Sequence, residues 1–140
     1  MNTLGQFFVG RDDAPTGQHL VVGAALFVLV VVTHAPPAVV GPLSYPFGLR
    51  LWPLALLGVA GGLLAALRGD GIVGALAMGG GPVLGFFTAL GLTELTTPSM
   101  GVAQGIATGF VAGGLLAGVG FVLGFAGRYV AVSVADSGGR

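Results

Sequence analysis

The stretch GVAQGIATGFVAGGLLAGVGFVLGFA, residues 101–126, decides the fold of this chain, because it contains no charged side chain. A helix needs about 20 apolar residues to cross the hydrocarbon core of a bilayer, which is about 30 Å thick. Backbone amides and carbonyls that face lipid must be hydrogen-bonded within their own segment, so such a stretch is expected to be helical. It predicts a membrane-spanning helix over about residues 98–130.

The composition of the whole chain supports a membrane protein. Among 140 residues, 54% are hydrophobic, 28 are glycine and only 7% are charged, whereas a soluble domain carries about 25% charged residues. The five arginines are balanced by five acidic residues, which excludes the dense cationic surface that a nucleic-acid-binding protein needs. The absence of cysteine excludes disulfides and thiolate chemistry.

Three further apolar stretches, at about residues 14–35, 51–67 and 71–92, predict an all-α four-helix transmembrane bundle over 14–135. A tail over 1–13 and a disordered tail over 136–140 flank this domain. Asp13 and Asp70 are predicted to cap the first and third spans. A cleaved signal peptide is the alternative interpretation of the first span, and the acidic pair at 12–13 disfavours it.

The arginines predict the orientation of the bundle. Four crossings place both tails and the turn at Arg68 on one side of the membrane. That side holds four arginines, and the opposite side holds Arg50; the four are Arg11, Arg68, Arg128 and Arg140. Because cationic loops stay in the cytoplasm, both termini of this cell-membrane protein are predicted to be cytoplasmic.

A repeated heptapeptide raises the question of an internal duplication. The letters VAGGLLA occur at 59–65 and again at 111–117, and residues 21–26 align more loosely with 72–77. Two tandem helical hairpins would place such copies in parallel repeats about an axis normal to the membrane. Chance similarity in a sequence so rich in Ala, Gly, Val and Leu is the alternative.

Small residues at four-residue spacing predict how the helices pack, because they let two backbones approach closely in lipid. The predicted helix-packing glycines of the second, third and fourth spans are Gly58, Gly62, Gly81, Gly85, Gly101, Gly105, Gly109 and Gly113. They either pack one chain only or also join protomers of a homo-oligomer. The first span lacks such a series, which predicts a lipid-facing position.

A second glycine-rich feature lies in the middle of the third span. Gly79, Gly80 and Pro82 predict a helix break, because Pro lacks an amide proton and clashes with the preceding turn. The break either accommodates a neighbouring helix or exposes backbone carbonyls to a solute, as discontinuous helices of transporters do.

Polar side chains that could carry chemistry are few. His19 and His34 are predicted to be interfacial side chains about 22 Å apart, too far to share a metal. Arg50 and Glu94 are predicted to pair structurally. The remaining three polar side chains are predicted to form interhelical hydrogen bonds; they are Thr88, Gln104 and Thr108. Without a nucleophile–base pair or a phosphate loop, no catalytic, cofactor or metal site is expected, and the chain is predicted not to be an enzyme.

The arginine-only cations, the Ala/Gly/Val bias and the turn LRGDG at 67–71 resemble small glycine-rich multi-pass membrane proteins of haloarchaea. Most of those have no assigned function, so the resemblance implies a membrane location and no particular activity. The exposed segments here are less acidic than that resemblance implies. The leading hypothesis is a structural or assembly component in contact with membrane lipids. The alternative is a channel or transporter subunit that uses the break at Gly79–Pro82.

Overall fold

The computed structural model describes residues 3–11, 14–35, 51–93 and 101–138, which form five helices and no extended strand. The helices are α1 (Thr3–Val9), α2 (Thr16–His34), α3 (Leu51–Leu67), α4 (Ile72–Thr93) and α5 (Val102–Gly138). Three of them, α2, α4 and α5, are long and apolar enough to cross a membrane. Helix α3 is apolar but shorter, with 17 residues.

Helix α4 lies at the centre of the fold, because it packs against α2, α3 and α5. Gly105 of α5 lies against Phe87, and Gly113 lies against Gly80, so α5 runs antiparallel to α4. Helix α3 packs against both α4 and α5. Half of the apolar stretch of α4 is buried, against 17% of that of α2.

Helix α2 is peripheral and runs parallel to α4. Its Gly23 lies against Ala77, and further along the two helices Phe27 lies against Gly85. In the described residues α2 makes extensive contact with α4 alone, which agrees with the lipid-facing position predicted for the first span. The tandem-hairpin prediction is not met, since α4 and α5 pack closely whereas α2 and α3 hardly touch. Small residues on several faces of α4 let it replace α3 as the neighbour of α2.

The turn between α3 and α4 follows from its glycine. The Gly69 amide donates to the Ala66 carbonyl over 3.1 Å, and the Asp70 amide donates to the Ala65 carbonyl over 3.0 Å. This pair of bonds is the Schellman motif, which needs a left-handed residue after the helix. Gly69 has φ +82° and supplies it. The turn therefore ends α3 and places Asp70 two residues before the first residue of α4.

The N-terminal segment is folded onto this turn, which corrects the prediction of a tail over 1–13. Helix α1 was not anticipated, because seven residues are too few for a clear apolar period. The Phe7 ring meets Phe121 edge-to-face with centroids 5.5 Å apart. The Arg11 amide donates to the Gly69 carbonyl over 3.0 Å, and Gly10 (φ +90°) forms an isolated bridge with Asp70.

The ends of α2 and α5 also differ from the prediction. Helix α2 begins at Thr16 with Pro15 at its N-cap, and Asp13 lies outside the described residues. Helix α5 continues to Gly138, so residues 136–138 are helical and not part of a disordered tail. Its 37 residues extend over about 55 Å at 1.5 Å per residue, more than one perpendicular crossing needs.

The predicted helix break at Gly79, Gly80 and Pro82 does not interrupt the hydrogen-bonded helix, since α4 is assigned continuously from Ile72 to Thr93 with Pro82 inside it; a kink at this place stays a prediction. Pro82 removes only the amide that would bond the Met78 carbonyl, one turn earlier. That carbonyl lies against α3 at Gly61, where a Cβ atom would come within 2.9 Å of it. Glycine on the neighbouring helix therefore leaves room for the Met78 carbonyl, which has no amide of Pro82 to accept from.

Candidate functional site

A buried histidine–aspartate pair lies at one end of the bundle. Helices α2 and α4 are parallel, so their N-terminal ends meet, and His19 in the first turn of α2 faces Asp70 at the start of α4. Nδ1 of His19 lies 2.6 Å from Oδ2 of Asp70. The two residues are 2% and 4% exposed. An ionisable pair enclosed this fully is the strongest candidate for a functional site in the described residues.

Asp70 is bound from three directions. The Thr16 hydroxyl lies 2.6 Å from Oδ1 and donates to it, with the Val9 carbonyl 3.1 Å from the same hydroxyl oxygen. The Gly71 amide donates to Oδ1 over 2.8 Å, so Asp70 caps α4 as predicted. Oδ2 also lies against Gly74, where a Cβ atom would overlap the carboxylate. A carboxylate that accepts from a hydroxyl, an amide and an imidazole is well compensated for its burial.

His19 has one ring nitrogen without a partner. A carboxylate only accepts, so Nδ1–H is the donor to Asp70, and Nε2 faces the opposite direction. In the described part of the chain Nε2 is buried and has no hydrogen-bond partner. An imidazole oriented by a carboxylate is also the arrangement of a catalytic base. Here the free nitrogen is enclosed, so the pair can brace the fold, but the imidazole cannot contact a substrate that arrives from the surrounding solvent.

The sequence analysis identified only some of the residues of this site. His19 was predicted to be an interfacial side chain, and the structure shows in addition that it is buried against Asp70, a partner that the sequence analysis did not assign to it. The alignment of residues 21–26 with 72–77 has an offset of 51, which also pairs position 19 with position 70. Equivalent positions of a repeat need not touch, so this alignment does not identify the contact. Thr16 and Gly74 gave no comparable signal.

His34 lies at the other end of α2, as its position in the sequence requires. Its Nδ1 is 2.9 Å from the Val30 carbonyl, and its ring meets Phe86 edge-to-face at 5.6 Å. The two histidines are therefore in separate environments. In the described residues no group of three or more His, Cys, Asp or Glu side chains could hold a metal ion.

Three arginines gather around the α3–α4 turn. A Cβ atom at Gly69 would lie 3.1 Å from Cδ of Arg11 and 3.2 Å from Nη1 of Arg128. Arg128 donates to the Ala66 carbonyl over 3.3 Å, and Arg68 is exposed in the turn itself. The sequence predicted these arginines to share one side of the protein. The other predicted charges, Arg50, Glu94 and Arg140, lie outside the described residues.

Seven of the eight predicted helix-packing glycines lie against another helix of the same chain. Gly58 lies against Gly79 and Leu116, and Gly62 against Ala117. Gly101 differs, because a Cβ atom there would meet nothing within 4 Å. The pairs formed by the other five are Gly81 with Gly23, Gly85 with Phe27, Gly105 with Phe87, Gly109 with Leu84, and Gly113 with Gly80.

These contacts bear on the choice between packing within one chain and oligomerisation. The face of α5 that carries Gly105, Gly109 and Gly113 is occupied by α4, so a second copy would have to use another face. Gly23, Gly120 and Gly124 make equally close approaches that the sequence did not single out.

The three polar residues assigned to interhelical hydrogen bonds behave differently from that prediction. Thr88 is buried, but its hydroxyl donates to the Leu84 carbonyl of its own helix over 2.8 Å. Gln104 is exposed, and Thr108 is half-buried. A threonine bonded to the preceding turn satisfies its own hydroxyl, so no partner on another helix is needed.

A groove opens between α2 and α5, because both helices pack on α4 and scarcely on each other. It has a volume of about 440 Å³ and an apolar lining. We call it the central groove; its lining includes Gly23, Phe27, Gly80, Gly81, Gly109 and Gly114. Gly80, one of the two glycines that predicted a break in α4, thus lines a cleft near the middle of that helix.

Comparison with known protein families, with curated proteins and with solved structures gives no match for this chain. The geometry of the buried pair and of the groove is therefore the basis for assigning a role.

Proposed function

We propose that this chain is a non-enzymatic integral membrane protein of four spans, with a structural or assembly role. The observation that carries the proposal is the set of hydrogen bonds that the buried His19–Asp70 pair makes within the protein. Both carboxylate oxygens are bound to other parts of the same chain, namely to Thr16 and His19 of α2 and to the Gly71 amide just before α4. A cluster whose acceptors are used in this way braces helices, and its one free nitrogen is closed off from substrate.

The outer surface supports a lipid environment. On α5 the side chains of Phe110, Val111 and Leu115 are each about two-thirds exposed (65%, 66% and 67%). Transfer of apolar surface into water is unfavourable by about 25 cal/mol per Å², and large exposed apolar patches mark membrane or protein contacts. Lipid is the medium in which this surface is stable.

Helix α3 is the proposed fourth crossing. Its 17 residues extend over about 26 Å, a few ångströms short of the hydrocarbon thickness of about 30 Å. Trp52 near its first turn is 63% exposed, which suits an aromatic side chain at a membrane interface. With α4 antiparallel to α5 and parallel to α2, four crossings place both termini and the arginine-rich turn on one side.

A reporter fused after Arg140 tests this topology. The cytoplasmic arrangement predicts that the reporter is inaccessible from outside intact cells. A matched fusion within residues 36–50, which the proposal places on the opposite side, should be accessible. The reverse pattern would contradict the orientation, and equal accessibility of both fusions would contradict the number of crossings.

A channel or transporter subunit is the second candidate, and the central groove with the buried ionisable pair is the observation that favours it. Proton or solute flux into proteoliposomes of the purified chain separates the two functions. The structural role predicts tight vesicles.

Reproducible flux would support transport if it is abolished by Gly80→Leu. A Cβ atom at Gly80 would lie 3.7 Å from the Gly113 backbone, in ordinary van der Waals contact, and Gly80 lines the central groove, so the larger leucine side chain is expected to narrow it. Gly127→Leu is the control, because Gly127 has no neighbour within 4 Å and does not line this groove.

A further inference from the structure

The N-terminal segment lies against the residues that carry the buried pair. We call residues 3–11 the strap; it consists of α1 and the two residues after it. A Cβ atom at Gly10 would lie 2.6 Å from the Gly71 amide nitrogen and 2.9 Å from Cα of Asp70. A Cβ atom at Gly71 would overlap the Phe8 carbonyl. The backbone of the strap is therefore in close contact with the backbone at Asp70.

The strap also touches the α2 side of the pair. The Thr16 hydroxyl lies 3.1 Å from the Val9 carbonyl and 2.6 Å from Oδ1 of Asp70, so this one side chain joins the strap to the carboxylate. Thr16 and His19 are three positions apart on α2 and therefore share a face of that helix. The strap thus covers the end of the bundle at which the imidazole is enclosed.

Few contacts hold the strap to the rest of the bundle. Seven residues are too few for α1 to be stable as an isolated helix. Within the described residues, its packing on α4 is the smallest of the extended helix contacts. The Phe7 ring packs on Phe121, whereas the side chains of Phe8 and Val9 are exposed. Segments with few buried apolar contacts open at a lower free energy than the whole fold, so the strap can leave while the long helices stay packed.

We propose that the strap is a lid that controls the access of water to the His19–Asp70 pair. In the closed position, which the structure shows, the Asp70 carboxylate and Nε2 of His19 are both shielded from water. In the open position the Thr16 hydroxyl loses the Val9 carbonyl, and water reaches the pair.

Opening of the lid weakens the connection between α2 and α4. A hydrogen bond is stronger in a dry interior than in water, so the Nδ1–Oδ2 bond of the pair holds the two helix ends most firmly when the strap is closed. The position of the strap therefore sets how firmly the pair braces these helices. This inference goes beyond the structural role, and it does not depend on the number or direction of the membrane crossings.

Labelling with diethyl pyrocarbonate measures the lid, because this reagent modifies an unprotonated imidazole nitrogen that it can reach. The chain has two histidines, and mass spectrometry of peptides from the full chain, labelled in mild detergent at one fixed pH, gives a rate for each. His34 is half-buried near the other end of α2 and is the internal reference. In the unmodified chain His19 should react more slowly than His34, since the strap is open for only a small fraction of the time.

Gly10→Ala should raise the labelling rate of His19 about tenfold, which corresponds to a shift of about 1.4 kcal/mol in the opening equilibrium. The added methyl group would overlap the backbone at Asp70, and the φ of +90° is unfavourable for alanine. Phe7→Ala should also raise the rate, because it removes the ring contact between the strap and α5. This second variant weakens the strap without placing an atom next to Asp70.

Gly5→Ala is the matched control. It is the same substitution in the same segment, but a Cβ atom at Gly5 meets nothing within 4 Å, so the labelling rate of His19 should not rise. The rate of His34 should stay constant in all three variants. Circular dichroism establishes that the long helices are retained in each of them.

Three results would overturn the proposal. The first is a His19 that reacts as fast as His34 in the unmodified chain, since the pair would then not be shielded. The second is a His19 rate that either Gly10→Ala or Phe7→Ala leaves unchanged. The third is an equal increase at both histidines, which would show that the whole bundle opens and not the strap alone.

Discussion

Asp70→Ala is the sharpest test of the buried pair. The substitution removes a carboxylate that accepts from Thr16, His19 and the Gly71 amide. Thr16 keeps the Val9 carbonyl, 3.1 Å away. His19, however, would have neither ring nitrogen paired, because Nε2 already lacks a partner in the described residues. A buried imidazole would then be left without compensation.

The expected loss follows from that geometry. Leaving a buried polar group without its hydrogen-bond partner lowers the free energy of unfolding by about 1–3 kcal/mol. Asp70→Asn should be milder, since its amide can donate to Nδ1 of His19 while its oxygen still accepts from Thr16. His19→Ala combined with Asp70→Ala should lose less than the sum of the two single variants, with a coupling energy of about 1–3 kcal/mol.

Reversible unfolding in mixed detergent micelles measures these values. Far-UV circular dichroism follows the helices, and Trp52, the single tryptophan, gives an independent fluorescence signal. Arg68→Gln is the control, because it changes an exposed charge in the same turn and should alter stability by no more than about 0.5 kcal/mol. The reasoning is refuted if Asp70→Ala is no worse than Arg68→Gln, or if the Asp70 and His19 losses are additive.

Two further predictions concern glycines. Gly120→Ala should lower the free energy of unfolding by about 1–3 kcal/mol, because a Cβ atom there would overlap the Val59 carbonyl of α3. The control, Gly127→Ala, should be neutral or stabilising, because a Cβ atom at Gly127 meets nothing within 4 Å. Equal effects of the two variants on unfolding in detergent would disprove the assigned contact. Gly74→Ala should displace the Asp70 carboxylate from His19 and lower the free energy of unfolding by about 1–3 kcal/mol. The same substitution should have a much smaller effect in the Asp70→Ala background. An undiminished effect in that background would show that Gly74 does not serve to accommodate the carboxylate.

Much of the helical architecture could be predicted from local sequence, with bounds that differ at some ends. The third span was placed at 71–92 and is Ile72–Thr93, because a long apolar run and a glycine turn are both local signals. The N-terminal helix was missed because it is short and is held by contacts with the α3–α4 turn. Local sequence could not show whether Pro82 interrupts the helix, because the space at the Met78 carbonyl depends on Gly61 of another helix.

The candidate site was less accessible to sequence reasoning. His19 and Asp70 are separated by 51 positions, and each has an ordinary explanation alone, as an interfacial side chain or as a helix cap. Their meeting depends on the parallel packing of α2 against α4. That packing depends in turn on Gly23, which belongs to no four-residue series in α2.

The sequence by itself determined that this chain forms apolar helices with their arginines gathered toward one end, because hydrophobicity, charge and a left-handed glycine act over a few residues. Only the tertiary structure decided which helix is central, which polar groups meet and which glycines are used. Gly113 and Gly114 are adjacent and chemically identical, yet one packs against Gly80 and the other borders an open groove. The two residues differ by a rotation of about 100° around α5. That rotation changes their surroundings only because a neighbouring helix packs on one of the two faces.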